Sequence, residues 1–153
     1  TIENDTSLWQ LSDTQTPYSR YVLKQYLENT HQDIFEAKQL RLVICGSDDQ
    51  TIGLIDLFDF DVKNKRAGIG ILIQDKANRN LGYGKESLEV LMNYCFQTLH
   101  LHQVYVNISE GNTASLKLFK NNGFKTFHYF FSIQPFNFYF IKSFNRSENI
   151  WKR

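Results

Sequence analysis

The chain has 153 residues, enough for one domain with an ordinary core and too few for two stable ones. With 42% hydrophobic and 22% charged residues it has the composition of a folded globular protein, which excludes wholesale disorder. Lys and Arg number 17 against 16 acids; that net charge of +1 excludes the basic footprint of a dedicated nucleic-acid binder, and no run reaches the roughly 18 apolar residues of a membrane helix.

In chain order, Thr16-Pro17 has the form of a helix N-cap followed by proline at the first helical position. Val22, Leu23, Tyr26 and Leu27 then recur at helical spacing, which predicts a helix from about Pro17 to His31. Gln39 to Cys45 alternates like a strand and ends in the turn cluster Gly46-Ser47-Asp48-Asp49; Thr51 to about Asp61 resumes as its hairpin partner. After the polar turn Asn64-Lys65-Arg66, the run Ala67 to Ile73 is apolar almost throughout, as in a strand buried on both faces. Three successive antiparallel strands are the expectation. The segment Arg79 to Leu99 reads as a loop and then a helix with Leu88, Leu91, Met92, Cys95, Phe96 and Leu99 on one stripe. A strand from Gln103 to Ile108 and a short helix from Asn112 to about Asn121, closed by Asn122-Gly123, follow. Phe124 to Ile133 and Phe136 to Phe144 read as two strands hinged at Pro135. The order is that of a single mixed α/β domain.

Chemistry concentrates in Arg79-Asn80-Leu81-Gly82-Tyr83-Gly84-Lys85, between a buried strand and an amphipathic helix. Glycine there opens backbone conformations closed to other residues, and the free N–H groups of a helix start suit a phosphate or pyrophosphate, with Arg79 and Lys85 adding charge. A glycine-containing helix start is also common for purely structural reasons. The dinucleotide-binding fingerprint fails, because eight residues separate Ile73 from Gly82 and its third glycine position is Ser87. A Walker A loop fails because Glu86 follows Gly84-Lys85 and Arg79 stands where its first glycine belongs.

The pattern Arg-x-x-Gly-x-Gly, set between strand and helix and followed by a strand, an Asn-containing helix and Gly-Phe, resembles the GCN5-related N-acetyltransferase (GNAT) family. Within it the chain is most similar to the ribosomal-protein and spermidine acetyltransferase branch. The matching segments are residues 82–88, Asn93-Tyr94-Cys95-Phe96, residues 110–116 and Gly123-Phe124, and Glu3-Asn4-Asp5 resembles the acidic end of the family's first helix. The resemblance implies an acyl-CoA N-acyltransferase fold: a central, mostly antiparallel sheet in which the family's parallel strands 4 and 5 splay apart, flanked by helices. It further implies an acetyl-CoA site in which Leu81, Gly82, Tyr83, Gly84 and Lys85, with Arg79 and Asn80, hold the pyrophosphate. Leu72 and Ile73 pair with the pantetheine as if it were a strand, Asn112 hydrogen-bonds it, and Ser115 or Lys117 reaches the nucleotide end. Asn112 also reads as a plain N-cap, and the two roles are compatible.

The implied activity is transfer of an acetyl group to a primary amine: a polyamine, a protein N-terminus or a small-molecule amine. Such an amine must lose a proton, and Glu110 and Asp56 are the candidate bases. Alternation along the hairpin puts Asp56, Phe58 and Phe60 on one face and Asp59 and Asp61 on the other, and acids matching Asp56 and Asp59 favour cationic substrates in the spermidine branch. Both also read as ordinary exposed hairpin residues. The family's usual tyrosine acid, seven positions after the asparagine, is here Phe119, which donates no proton. That departure keeps a second class open, a non-catalytic acyl-CoA-binding or interaction module.

The remaining signals are weaker. His100-x-His102 lacks a third ligand, so no metal is expected. Ten aromatic residues lie between Phe124 and Phe144; they lack an RNA-binding pattern and read as packed terminal strands that also offer a homodimer surface. Cys45 and Cys95, in apolar surroundings without metal-ligand spacing, predict two buried thiols, a reducing compartment and a cytoplasmic location. No nucleic-acid or membrane partner is expected. The chain opens at Thr1 and its one methionine is Met92, which together with the family resemblance predicts that these residues omit the family's first strand.

Overall fold

The computed structural model describes residue 4 and residues 17–28, 32–127 and 137–143. Helix α1 spans Arg20–Glu28 and α2 spans Ile34–Ala37, followed by β1 (Leu40–Cys45), β2 (Thr51–Asp61) and β3 (Arg66–Ile73). A single 3-10 turn, Lys76–Asn78, precedes α3 (Tyr83–Asn93), and β4 (Gln103–Ser109), α4 (Thr113–Asn121), β5 (Lys125–Phe127) and β6 (Asn137–Ser143) complete the order. The N-terminal residues on which the predicted omission of the family's first strand turns, with the acids Glu3 and Asp5, lie outside the described residues, as do the strand and hinge predicted over 128–136.

The six strands form one sheet in the order β1-β2-β3-β4-β6-β5. The β1-β2 and β2-β3 pairs are antiparallel, as expected, and β3-β4 is parallel. β6 inserts antiparallel between β4 and β5, so the last two strands are neighbours without being the sheet's continuation in chain order. The two strands predicted near the C-terminus are thus present over shorter described spans, Lys125–Phe127 and Asn137–Ser143.

Register assigns the faces. Leu57 sits opposite Ile69, Ala67 beside Val104, and Val106 opposite Phe140, and all are buried together with Leu88, Leu91, Met92 and Cys95 of the helical layer. That is the predicted stripe on α3. It does not continue as α-helix to Leu99: the backbone widens into a π turn over Tyr94–Thr98, closed by the Leu99 N–H on the Tyr94 carbonyl. Phe119, 1% exposed, packs edge-on against Phe124 at 5.0 Å between ring centroids, in the same core.

Three expectations are corrected. The N-cap of α1 is Ser19, whose hydroxyl accepts the Val22 N–H at 3.2 Å, so Pro17 lies ahead of the helix instead of opening it. Cys45 is exposed; only Cys95 is buried. Phe60 does not share a face with Asp56 and Phe58: Asp59 takes a left-handed backbone (φ 49°) at a bulge, the extra residue inverts the alternation, and Phe60 turns into the core against Phe35.

Candidate functional site

The parallel pairing of β3 with β4 covers three positions and ends at Gly68 beside Tyr105. Beyond that vertex, among the described residues, 69–73 and 106–109 pair only with their outer neighbours, β2 and β6. Two strand edges therefore face each other across a wedge, with backbone N–H and C=O groups available to an extended, hydrogen-bonding ligand.

At the wide end of the wedge stands the N-terminus of α3. Gly82, its N-cap, has φ 97°, a left-handed conformation that glycine adopts without strain, and Asn80 is also left-handed at φ 64°. The Glu86 N–H, bonded to the Gly82 carbonyl at 3.0 Å, makes the first bond of the helix. The N–H groups of Tyr83, Gly84 and Lys85 have no partner among the described residues and point along the positive end of the helix dipole. Among the described residues no atom lies within 4 Å of where a Gly82 side chain would begin.

The flanking charges each have a partner within the chain. Arg79 is committed to β3: its Nε and Nη2 donate to the Ile73 carbonyl at 3.3 and 3.1 Å, bracing the loop against the strand end. Lys85 lies 3.7 Å from Glu89 on the exposed side of α3, a contact worth little at the surface. Leu72 and Ile73 line the wedge at the last residues of β3; the Ile73 carbonyl is occupied by Arg79. Leu81 is exposed on the loop. Across the wedge, the Asn112 Oδ1 accepts the Ser115 N–H at 3.2 Å and caps α4, which leaves its Nδ2 donors without a partner among the described residues. Ser115 is half-buried and Lys117 exposed on the same helix.

The two candidate bases are not brought together. Glu110 is exposed in the turn beyond β4, at the wide end. Asp56 sits in mid-strand opposite Gly70, just past the vertex, and both of its oxygens accept from Arg41: Nε to Oδ1 at 2.7 Å and Nη2 to Oδ2 at 2.9 Å. Three residues not nominated from sequence complete this face. Besides Arg41 they are Phe58, whose ring covers Gly68, and Tyr105, which stands edge-on to Phe58 at 6.0 Å and donates its hydroxyl to Asp59 at 3.0 Å. Between α1 and this part of the sheet is a cavity of about 330 Å³ lined by Tyr18, Val22, Leu23, Arg41, Asp56 and Phe58 among others. Tyr18 is held at its rim by two backbone bonds to the Asn4 amide, each 2.9 Å. No group of three metal-binding side chains occurs among the described residues.

A mixed sheet with one splayed parallel pair, opening onto a glycine-capped helix N-terminus, defines the class of acyl-CoA-type N-acyltransferase folds. The chain matches the acetyltransferase (GNAT) domain family over residues 2–125 and belongs to it. It is 24% identical to the spermidine N(1)-acetyltransferase of Vibrio cholerae over 110 residues, 72% of this chain and 62% of that protein. It is 32% identical over 71 residues to an N-acetyltransferase 9-like protein of Caenorhabditis elegans, 46% of this chain and 35% of that one. The chain thus spans less than two thirds of these relatives' length. The crystal structure of spermidine N-acetyltransferase from Vibrio cholerae in complex with CoA and spermine has the same fold, with a TM-score of 0.72 at 20% identity over 92% of this chain and 83% of that one.

Proposed function

We propose that this domain transfers the acetyl group of acetyl-CoA to a primary amine by direct attack. The observation that carries the reading is the wedge between β3 and β4 leading to the unpaired amides of residues 83–85. The relatives named for spermidine acetylation make a polyamine the first acceptor to test. Acetyl-CoA, when bound, supplies the acetyl group as a thioester. The α3 amides hold its pyrophosphate, Arg79 keeps their loop in place, Leu72 and Asn112 orient the pantetheine, and Ser115 and Lys117 stand toward the nucleotide. Asp56 is the better placed base. Each of its oxygens keeps a lone pair after binding Arg41, so it can accept from an incoming ammonium and take its proton directly or through water. Glu110, at the far end of the wedge, serves proton release to solvent. Phe119 leaves the thiolate to depart without an acid from α4.

That absent acid favours one further reading, an acyl-CoA-binding module without turnover. Following CoA release with a thiol reagent over polyamines, aminoglycosides, arylalkylamines and peptide N-termini separates the two. The transferase reading expects release with at least one amine; tight acetyl-CoA binding with no release on any of them would leave the binding module.

The same proposal places the protein in the cytoplasm, in keeping with two free thiols, and pairs it with a second copy through the C-terminal strands, where β5 forms the sheet edge. Among the described residues no helix is long and apolar enough to cross a membrane.

A further inference from the structure

Resting on the acetyl-CoA site of the transferase reading, we infer that Gly70 and Phe58 gauge the acyl group, admitting acetyl and excluding chains as long as butyryl. The gauge follows from where an extended arm must end. The Gln74 N–H bonds the Ile52 carbonyl at 3.0 Å, so by the alternation of an antiparallel ladder Ile71 and Ile73 turn their own N–H and C=O groups away from β2 and into the wedge. An arm that pairs with them starts from the α3 amides at the Ile73 end, where a side chain at Gly84 would begin 4.0 Å from Ile73 and 3.8 Å from Ile71. From phosphate to sulfur a pantetheine arm has about as many bonds as four residues of backbone, or about 13 Å when extended, which is the rise from Ile73 back to Ile69. Its sulfur therefore falls at the vertex, where β4 closes on β3 at Gly68 and Tyr105.

An acyl group on that sulfur has to leave the plane of the sheet. The face toward α3 is closed, because Ile69, Val104 and Val106 are buried there in the core. On the opposite face β3 carries glycine at 68 and 70, and strand alternation puts both positions there, facing Phe58 and Asp56. From the point where a Gly70 side chain would begin, Asp56 Oδ2 is 3.8 Å away and Phe58 Cε1 3.9 Å, which is ordinary contact distance for one methyl group. At Gly68 the Phe58 ring already fills the equivalent space, well inside contact distance of a would-be Cβ. Tyr105 stands edge-on to that ring at 6.0 Å between centroids and is tied to Asp59 through its hydroxyl at 3.0 Å, so the ring has a wall behind it. An acetyl group fits over Gly70. Further methylenes run into the ring, or into the space from which the amine must attack.

Calorimetric titration of the whole chain with CoA, acetyl-CoA and butyryl-CoA, in the absence of any amine, reads the gauge directly. Butyryl-CoA is expected to bind about tenfold or more weakly than acetyl-CoA, the range that misfitted methylenes cost in an apolar pocket. Phe58→Ala should erase that difference by opening the space over Gly68. Gly70→Ala puts a methyl group where the acetyl group sits, so it should weaken acetyl-CoA about tenfold or more while leaving CoA, which has no acyl group to displace, near its wild-type affinity. It carries the test if Phe58→Ala does not fold, because the added Cβ meets only ordinary contacts. Butyryl-CoA bound as tightly as acetyl-CoA by the wild-type chain overturns the inference, as does a folded Phe58→Ala chain that still discriminates or a Gly70→Ala chain that weakens CoA and acetyl-CoA alike; CoA release with an amine would then leave the transferase reading standing. Discrimination by length without CoA release on any amine keeps the gauge and overturns the transferase reading. No binding of CoA in any form overturns both.

Discussion

Two glycines two positions apart have different jobs at the start of α3. Gly82 is required by its backbone, since φ 97° costs a side-chain-bearing residue about 1–2 kcal/mol, although no described residue crowds it. Gly84 is helical, and a methyl group there would meet Leu118 at 3.6 Å and Ile71 at 3.8 Å, ordinary contacts. Gly82→Ala should therefore weaken acetyl-CoA binding by about tenfold and lower stability by about that 1–2 kcal/mol, whereas Gly84→Ala should change both little; calorimetric titration and thermal melts of the pair distinguish them. The spacing of Gly82 and Gly84 before a helical stripe was readable from sequence, and so was the glycine-capped helix start. Arg41 was not, for a definite reason. Counted straight back from the Cys45–Thr51 pair, Arg41 would face Ile55; a bulge at Ile44/Cys45 shifts the register by one and delivers it to Asp56. The bulge at Asp59 hid the side chosen by Phe60 in the same way.

At the scale of elements, β2 is the reference to which both walls of the site are fixed. It presents Asp56 and Phe58 to the cavity beside α1 and, through Gly53, accepts the end of β3 at close range. A Cβ at Gly53 would lie 2.0 Å from the Leu72 carbonyl oxygen, a backbone atom that cannot swing away. Gly53→Ala is expected to lower stability by more than about 2 kcal/mol and to raise KM for acetyl-CoA even in the folded fraction, because Leu72 and Ile73 must move; urea denaturation with parallel kinetics checks both. The succession of elements could be read from hydrophobic period and turn chemistry, and the three-strand antiparallel order with it. The widening of α3 into a π turn could not, since Tyr94, Phe96 and Leu99 continue the apolar pattern and the period alone does not register an extra residue per turn.

Over the whole molecule, the core and the surface treat the two thiols oppositely. Burial pushes the Cys95 thiol up to about 12, while Cys45 stands exposed at the end of β1. A native sample should thus react with one equivalent of a disulfide reagent and release a second on unfolding. The folded Cys95 stays protonated where an unfolded thiol ionises near ~8.5, so its contribution to stability is complete below that pH and is lost as pH rises toward 12. Cys95→Ala should flatten the fall in melting temperature between those limits relative to wild type. Lys142 links the last described strand to the helical layer, donating at 2.7 Å to the Asn122 carbonyl that ends α4, a contact no local pattern announces because twenty residues separate the partners.

The insertion of β6 between β4 and β5 bears on the order in which the domain can assemble as it leaves the ribosome. Until residues 137–143 emerge, β4 is joined to the sheet by three positions of parallel pairing alone, and β5 has no strand to lie against. A nascent chain that stops short of them would hold the hairpin, the glycine cradle and α3, yet the β4 side of the wedge would be anchored at one end only. On the proposed acetyltransferase function, competence to hold a pantetheine arm is in this sense a late event of synthesis, completed from the C-terminal side although most of the wedge and cradle residues lie in the middle of the chain.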